Sequence, residues 1–126
     1  MHGLYQSGTL EKVAESASHT LPERFDIIIL GMGDDGHTAS LFEIPNELNT
    51  RTGIIAVKHS PKPPAERLSL SYDSINSAQH IIVLITGIEK KSVYIRYKAG
   101  DMALPITHIQ PDPGELTMIV ERALAT

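Results

Sequence analysis

Apolar residues at Leu10, Val13, Ala14, Ala17 and Leu21 recur at helical spacing, with Glu11, Lys12 and Glu15 on the opposite side. This pattern predicts an amphipathic helix that Pro22 brings to an end. Residues 25–30 (FDIIIL) and 80–85 (HIIVLI) are short apolar runs, β-branched at their centres. Such runs read as strands covered on both faces, as in a parallel sheet. Residues 53–57 predict another strand, and the alternation in 67–72 (RLSLSY) a further one. Between them, Lys62-Pro63-Pro64 fits neither a helix interior nor a central strand and must be loop. Residues 73–78 predict a helical turn capped by Asp73 or Ser74. Thr86-Gly87 is a turn before a helix over 88–98, which Gly100-Asp101 closes. Residues 104–109 read as short and extended, and 111–114 as a turn. Residues 116–120 read as a strand followed by a terminal helical turn.

Strands alternating with helices imply an α/β protein with a layered, mainly parallel sheet flanked by helices. In such sheets ligands sit beyond the carboxyl ends of the strands. The turns at 31–37 and 86–90 occupy that position. The first, Gly31-Met32-Gly33-Asp34-Asp35-Gly36, satisfies G-x-G-x-x-G after a strand. A dinucleotide reading fails nevertheless. Asp34 and Asp35 would oppose the pyrophosphate, and the strand at 53–57 ends in Lys58 and His59 rather than an acid. Too few βαβ units remain downstream.

The glycines can instead allow a sharp turn that presents His37 at the start of a short helix over 37–42, stopping before Pro45. Histidine titrates near neutrality and can take a proton from water. Asp35 could orient its ring. The bland reading of the same residues is a cap and turn-forming aspartates, and chemistry alone leaves both open. His2, His19, His59, His80 and His108 show no helical zinc spacing. Ser40 and Ser60 lie outside a G-x-S-x-G elbow.

Charge and composition narrow the partners. Eleven Lys and Arg stand against fifteen Asp and Glu, a net charge of -4. That balance argues against nucleic acid, whose binding rests on clustered cations. No apolar run approaches the roughly 18 residues of a membrane span, and the first residues do not read as a secretory signal. Cysteine is absent, which removes disulfides and thiolate chemistry. A chain of 126 residues that is 41% hydrophobic and 21% charged fits one globular domain or part of one. A cytoplasmic setting is expected. Lys90 and Lys91 open the helix at 88–98, where cations oppose the helix dipole unless an anion is shared. Solvated side chains explain them equally well. Arg96 and Lys98 read as a solvated face.

Residues 26–42 (DIIILGMGDDGHTASLF), 60–70 (SPKPPAERLSL) and 84–90 (LITGIEK) resemble, in order and spacing, three stretches of the 6-phosphogluconolactonases. The related glucosamine-6-phosphate deaminases share the G-x-G-x-D-G-H turn but continue differently from Thr38-Ala39-Ser40-Leu41-Phe42. The resemblance implies a NagB/RpiA/CoA-transferase-like fold and hydrolysis of 6-phosphoglucono-δ-lactone in the pentose phosphate pathway, without metal or cofactor. It implies His37 as general base, with Asp35 from the same turn. Gly33, Gly36, Arg67 and Lys90 are implied to hold the substrate and its phosphate. Two rival readings are a sugar-phosphate isomerase or deaminase, and a non-catalytic remnant binding phosphosugars or a partner chain.

The resemblance covers only the family's C-terminal half, and Glu43 stands where the family usually has proline. The first strand, a Gly/Ser-rich phosphate loop and an Asp-Glu-Arg segment have no counterpart. The sheet is therefore expected to expose an edge and an apolar face. A second copy or the missing N-terminal half is the expected partner.

Overall fold

The computed structural model describes residues 9–22, 24–58, 60–61 and 63–125. The readings made for residues 1–8, His59 and Lys62 lie outside the described residues. Helix α1 (Leu10–Ser18) is capped by Thr9, whose hydroxyl accepts the Lys12 N–H. It buries Val13 and Ala14, the centre of the expected stripe. The Ser18 hydroxyl accepts the Ile54 N–H at 2.8 Å and ties α1 to β2 (Ile54–Val57).

Two sheets form where the sequence suggested one. Strands β1 (Ile27–Gly31), β4 (His80–Ile85) and β5 (Glu115–Val120) make a parallel sheet in the order β1-β4-β5. Strand β2 pairs antiparallel with β3 (Arg67–Leu70) in a separate two-stranded sheet. Three short helices complete the chain: α2 (Tyr72–Asn76), α3 (Lys91–Lys98) and α4 (Arg122–Ala125).

Register explains the core. Ile28 pairs with Ile81, and Leu30 with Val83, so these side chains share one face of the sheet. Leu116, Met118 and Val120 of β5 continue that face opposite Ile81, Val83 and Ile85. Tyr72, Ile75, Val93, Tyr94, Leu104, Ile106 and Ile109 pack into the same cluster. The other face departs from strands covered on both sides, the expectation from the apolar runs, and is the exposed apolar face expected from the partial family resemblance. Ile27 and Ile29 are 59% and 65% exposed, and Leu84 and Ile119 are exposed beside them. Among the described residues the core lies against one face only, so alternate isoleucines meet solvent.

Three local readings are corrected. Residues 104–109 are not extended, because Pro105 opens a 3-10 turn (Pro105–His108) with its fixed φ. The helix expected over 88–98 begins as a 3-10 turn (Ile88–Lys90) and becomes α-helical at Lys91. Neither Asp73 nor Ser74 caps α2. Ser71 does so, its hydroxyl accepting the Ser74 N–H at 3.1 Å. Tyr72, expected at a strand end, is thereby the first helical residue. Ser71→Ala should cost about 0.5–2 kcal/mol of stability. The midpoint and slope of urea unfolding check this, the midpoint falling at constant slope.

After α3, the Asp101 carboxylate accepts the Ala103 N–H and pairs with Arg96. The amide bond first, then the guanidinium, hold its pKa below the ordinary value. Its stabilising contribution is therefore present above the unfolded-state pKa and fades as pH falls through the folded one.

Candidate active site

Strands β1 and β4 are parallel neighbours, with Gly31 opposite Leu84. The turns that follow them leave the sheet at the same carboxyl end, strands about 4.8 Å apart. The two segments singled out by sequence thus share one edge.

In the first turn, the Gly33 N–H donates to the His37 carbonyl at 2.8 Å, and the Gly36 N–H to the Gly33 carbonyl at 3.0 Å. Both amides are spent inside the turn, so the substrate contact that the resemblance implies for Gly33 and Gly36 would not run through their N–H groups. Their visible task is steric. A Cβ on Gly33 would lie 2.1 Å from Nδ1 and Cε1 of His37. Gly36 has φ of 84°, and a Cβ there would meet Leu104 at 2.8 Å. The Gly36 carbonyl accepts the Ile106 N–H at 2.9 Å, so the buried 104–109 segment buttresses the turn. Periodicity gives no sign of that support; Pro105 directly after apolar Leu104 was the available signal.

His37 is clasped by one oxygen. Asp35 Oδ1 lies 2.5 Å from His37 Nδ1 and also accepts the His37 backbone N–H at 3.1 Å. A carboxylate only accepts, so the shared proton belongs to Nδ1, and in the neutral ring the lone pair then lies on Nε2. The histidine side chain keeps 17% of its surface, enough for water to reach it.

Residues 37–42 do not form the expected helix. Thr38 and Leu41 make an isolated bridge, and Ala39 takes a left-handed φ of 50°. The Thr38 hydroxyl donates to the Gly31 carbonyl at 2.7 Å, and the Ser40 N–H to the Ser69 hydroxyl at 3.1 Å. These bonds replace a helical ladder, so His37 does not open a helix. The segment continues to Glu43, whose carbonyl accepts the Tyr72 hydroxyl at 2.6 Å. Burial raises the pKa of that phenol, which keeps it a donor.

Arg67, on β3, joins the site through Phe42. The Phe42 ring stacks on His37 with centroids 4.5 Å apart, and the Arg67 guanidinium carbon lies 5.4 Å from the same ring's centre. The Pro64 and Pro63 carbonyls accept from Arg67 Nε and Nη2 at 2.9 and 2.5 Å. Lys90 closes the 3-10 turn after β4, half-buried, its N–H donating to the Gly87 carbonyl. It shares the carboxyl edge with His37. A recess of about 530 Å³ lies elsewhere, between Tyr97, Lys98, Gln110 and Leu116. Its lining has no histidine or carboxylate.

Residues 1–118 match the family described as glucosamine-6-phosphate isomerases/6-phosphogluconolactonase. The chain belongs to this family. It is 41% identical over 105 residues to the probable 6-phosphogluconolactonase of Drosophila melanogaster, covering 79% of this chain and 42% of that protein. It is 41% identical over 103 residues to the 6-phosphogluconolactonase of Rattus norvegicus, covering 80% and 40%. Among solved structures, the 6-phosphogluconolactonase of Thermotoga maritima superposes with a TM-score of 0.76 at 26% identity, covering 91% of this chain and 53% of that one. A monomeric glucosamine-6-phosphate deaminase shares the fold, with a TM-score of 0.71 at 19% identity. The α/β class expected from the sequence is therefore the family's own. The chain spans less than half the length of these two curated relatives and about half that of the solved structures.

Proposed function

We propose that this chain carries the base-bearing part of a 6-phosphogluconolactonase site and hydrolyses 6-phosphoglucono-δ-lactone. The observation that carries this reading is the His37–Asp35 pair at the carboxyl edge of the parallel sheet. His37 Nε2 takes a proton from water as the water oxygen adds to the lactone C1 carbonyl. The tetrahedral intermediate then expels the ring oxygen, which receives a proton as the C1–O bond breaks. Asp35 holds the ring and stabilises the imidazolium between these steps. Arg67 and Lys90 supply cations for the remote phosphate, which fixes the carbonyl near the base. Gly33 and Gly36 shape the turn. A soluble phosphosugar lactone as partner and a cytoplasmic setting accompany this reading.

The test is hydrolysis of freshly prepared lactone by the purified chain, corrected for spontaneous opening. Turnover that survives a chelator supports metal-free base catalysis, and restoration of a chelated sample by Zn²⁺ contradicts it. Binding of 6-phosphogluconate without turnover supports the remnant reading instead. Lys90→Ala and Arg67→Ala should each raise KM about tenfold with a smaller change in kcat, the value of a charge-assisted contact of roughly 1.5 kcal/mol. Steady-state kinetics check this; a loss of stability with unchanged KM would make either residue structural.

A further inference from the structure

Phe42 is an aromatic residue without a place in the core. It is half-buried, whereas Leu41 beside it is 1% exposed, and it belongs neither to the buried cluster nor to the side chains packed against it. Its ring contacts among the described residues are His37, from the turn after β1, and Arg67, from β3 of the other sheet. The hydrogen bond from His37 Nδ1 to Asp35 anchors one edge of the imidazole. A stacked ring at 4.5 Å and 29° adds a contact against the ring's face, which a hydrogen bond at its edge does not supply. On the other partner, the carbonyls of Pro63 and Pro64 hold Nε and Nη2 of Arg67, and the Phe42 ring offers the guanidinium a cation–π surface.

We infer that Phe42 is a positioning residue: its ring sets the plane of the His37 imidazole and holds the Arg67 guanidinium beside it, so that base and anion grip move as one unit. The inference rests on the hydrolase reading of the site for its purpose, though its geometry does not. Tyr72 and Ser69 support the arrangement from outside. The Tyr72 hydroxyl pins Glu43, next in the chain to Phe42, and the Ser69 hydroxyl pins Ser40.

The experiment compares the parent chain with Phe42→Leu and Phe42→Tyr. NMR reads the His37 Cε1–H and Arg67 Nε–H signals without substrate, while lactone kinetics and thermal unfolding are measured on the same samples. Phe42→Leu should displace both signals together as the ring current disappears. It should lower kcat and raise KM, each by about tenfold, the scale of a modest misplacement of reacting groups. Phe42→Tyr keeps the ring and should return both signals, kcat and KM to within about threefold of the parent. If Phe42→Leu moves neither signal, or only one, the inference is overturned, and a lowered unfolding temperature alone does not save it. Displaced signals with parental kcat and KM also overturn it. A parent chain that folds but turns over no lactone removes the hydrolase reading. The positioning claim then stands or falls on the paired NMR signals alone.

Discussion

His37→Ala should lower kcat for lactone hydrolysis by about 10²–10⁴-fold, the usual contribution of a positioned general base. The fold should survive, because the side chain lies in a surface turn and the core cluster does not include it. The backbone bond from Gly33 N–H to the residue 37 carbonyl also survives the substitution. Binding of 6-phosphogluconate should stay near the parental value, since the proposed phosphate grip is assigned to Arg67 and Lys90 and not to His37. Rates are to be measured against spontaneous opening, with circular dichroism on the same sample. Parental turnover in this variant would take His37 out of the mechanism.

Gly33→Ala should produce nearly the same kinetic loss by another route. The new methyl would occupy space 2.1 Å from Nδ1 and Cε1 of His37 and 2.9 Å from Asp35 Oδ1. No covalent or backbone contact forces the clash to be borne, because the imidazole can swing away. The cost is therefore paid in geometry: the Asp35–His37 bond breaks and the base leaves its place. Stability should change by less than about 1 kcal/mol, while kcat falls at least about tenfold. Gly31→Ala is the matched control, since a Cβ there meets nothing within 4 Å. Equal activities for the two alanine variants would show that the close approach at Gly33 is dispensable.

The strands could be read in the sequence because short apolar runs with β-branched centres, such as 27–30 and 80–85, favour strand. The Asp35–His37 pair was legible for a related reason: two residues on one tight turn need no tertiary information to meet. Arg67 was different. Its neighbour Phe42 lies on another segment, and only the separate β2–β3 hairpin brings the two together. A resemblance could nominate Arg67, yet periodicity could not place it. The helix read at 37–42 failed because its polar groups had better partners outside the segment, namely the Gly31 carbonyl and the Ser69 hydroxyl. The open isoleucine face was also hidden from periodicity. An unbroken apolar run cannot reveal which of its two faces this chain itself will cover.

The bond from Ile106 to the Gly36 carbonyl bears on the order in which the protein takes shape during synthesis. The histidine turn leaves the ribosome before the strut that braces it, which lies about 70 residues further along the chain. Until that stretch is released, Gly36 has neither its Leu104 packing nor its Ile106 bond. The site is then a product of late, long-range closure, the slow class of contact in folding. Cleavage between α3 and Pro105 should accordingly loosen the turn at His37 while sparing the pairing of β1 with β4.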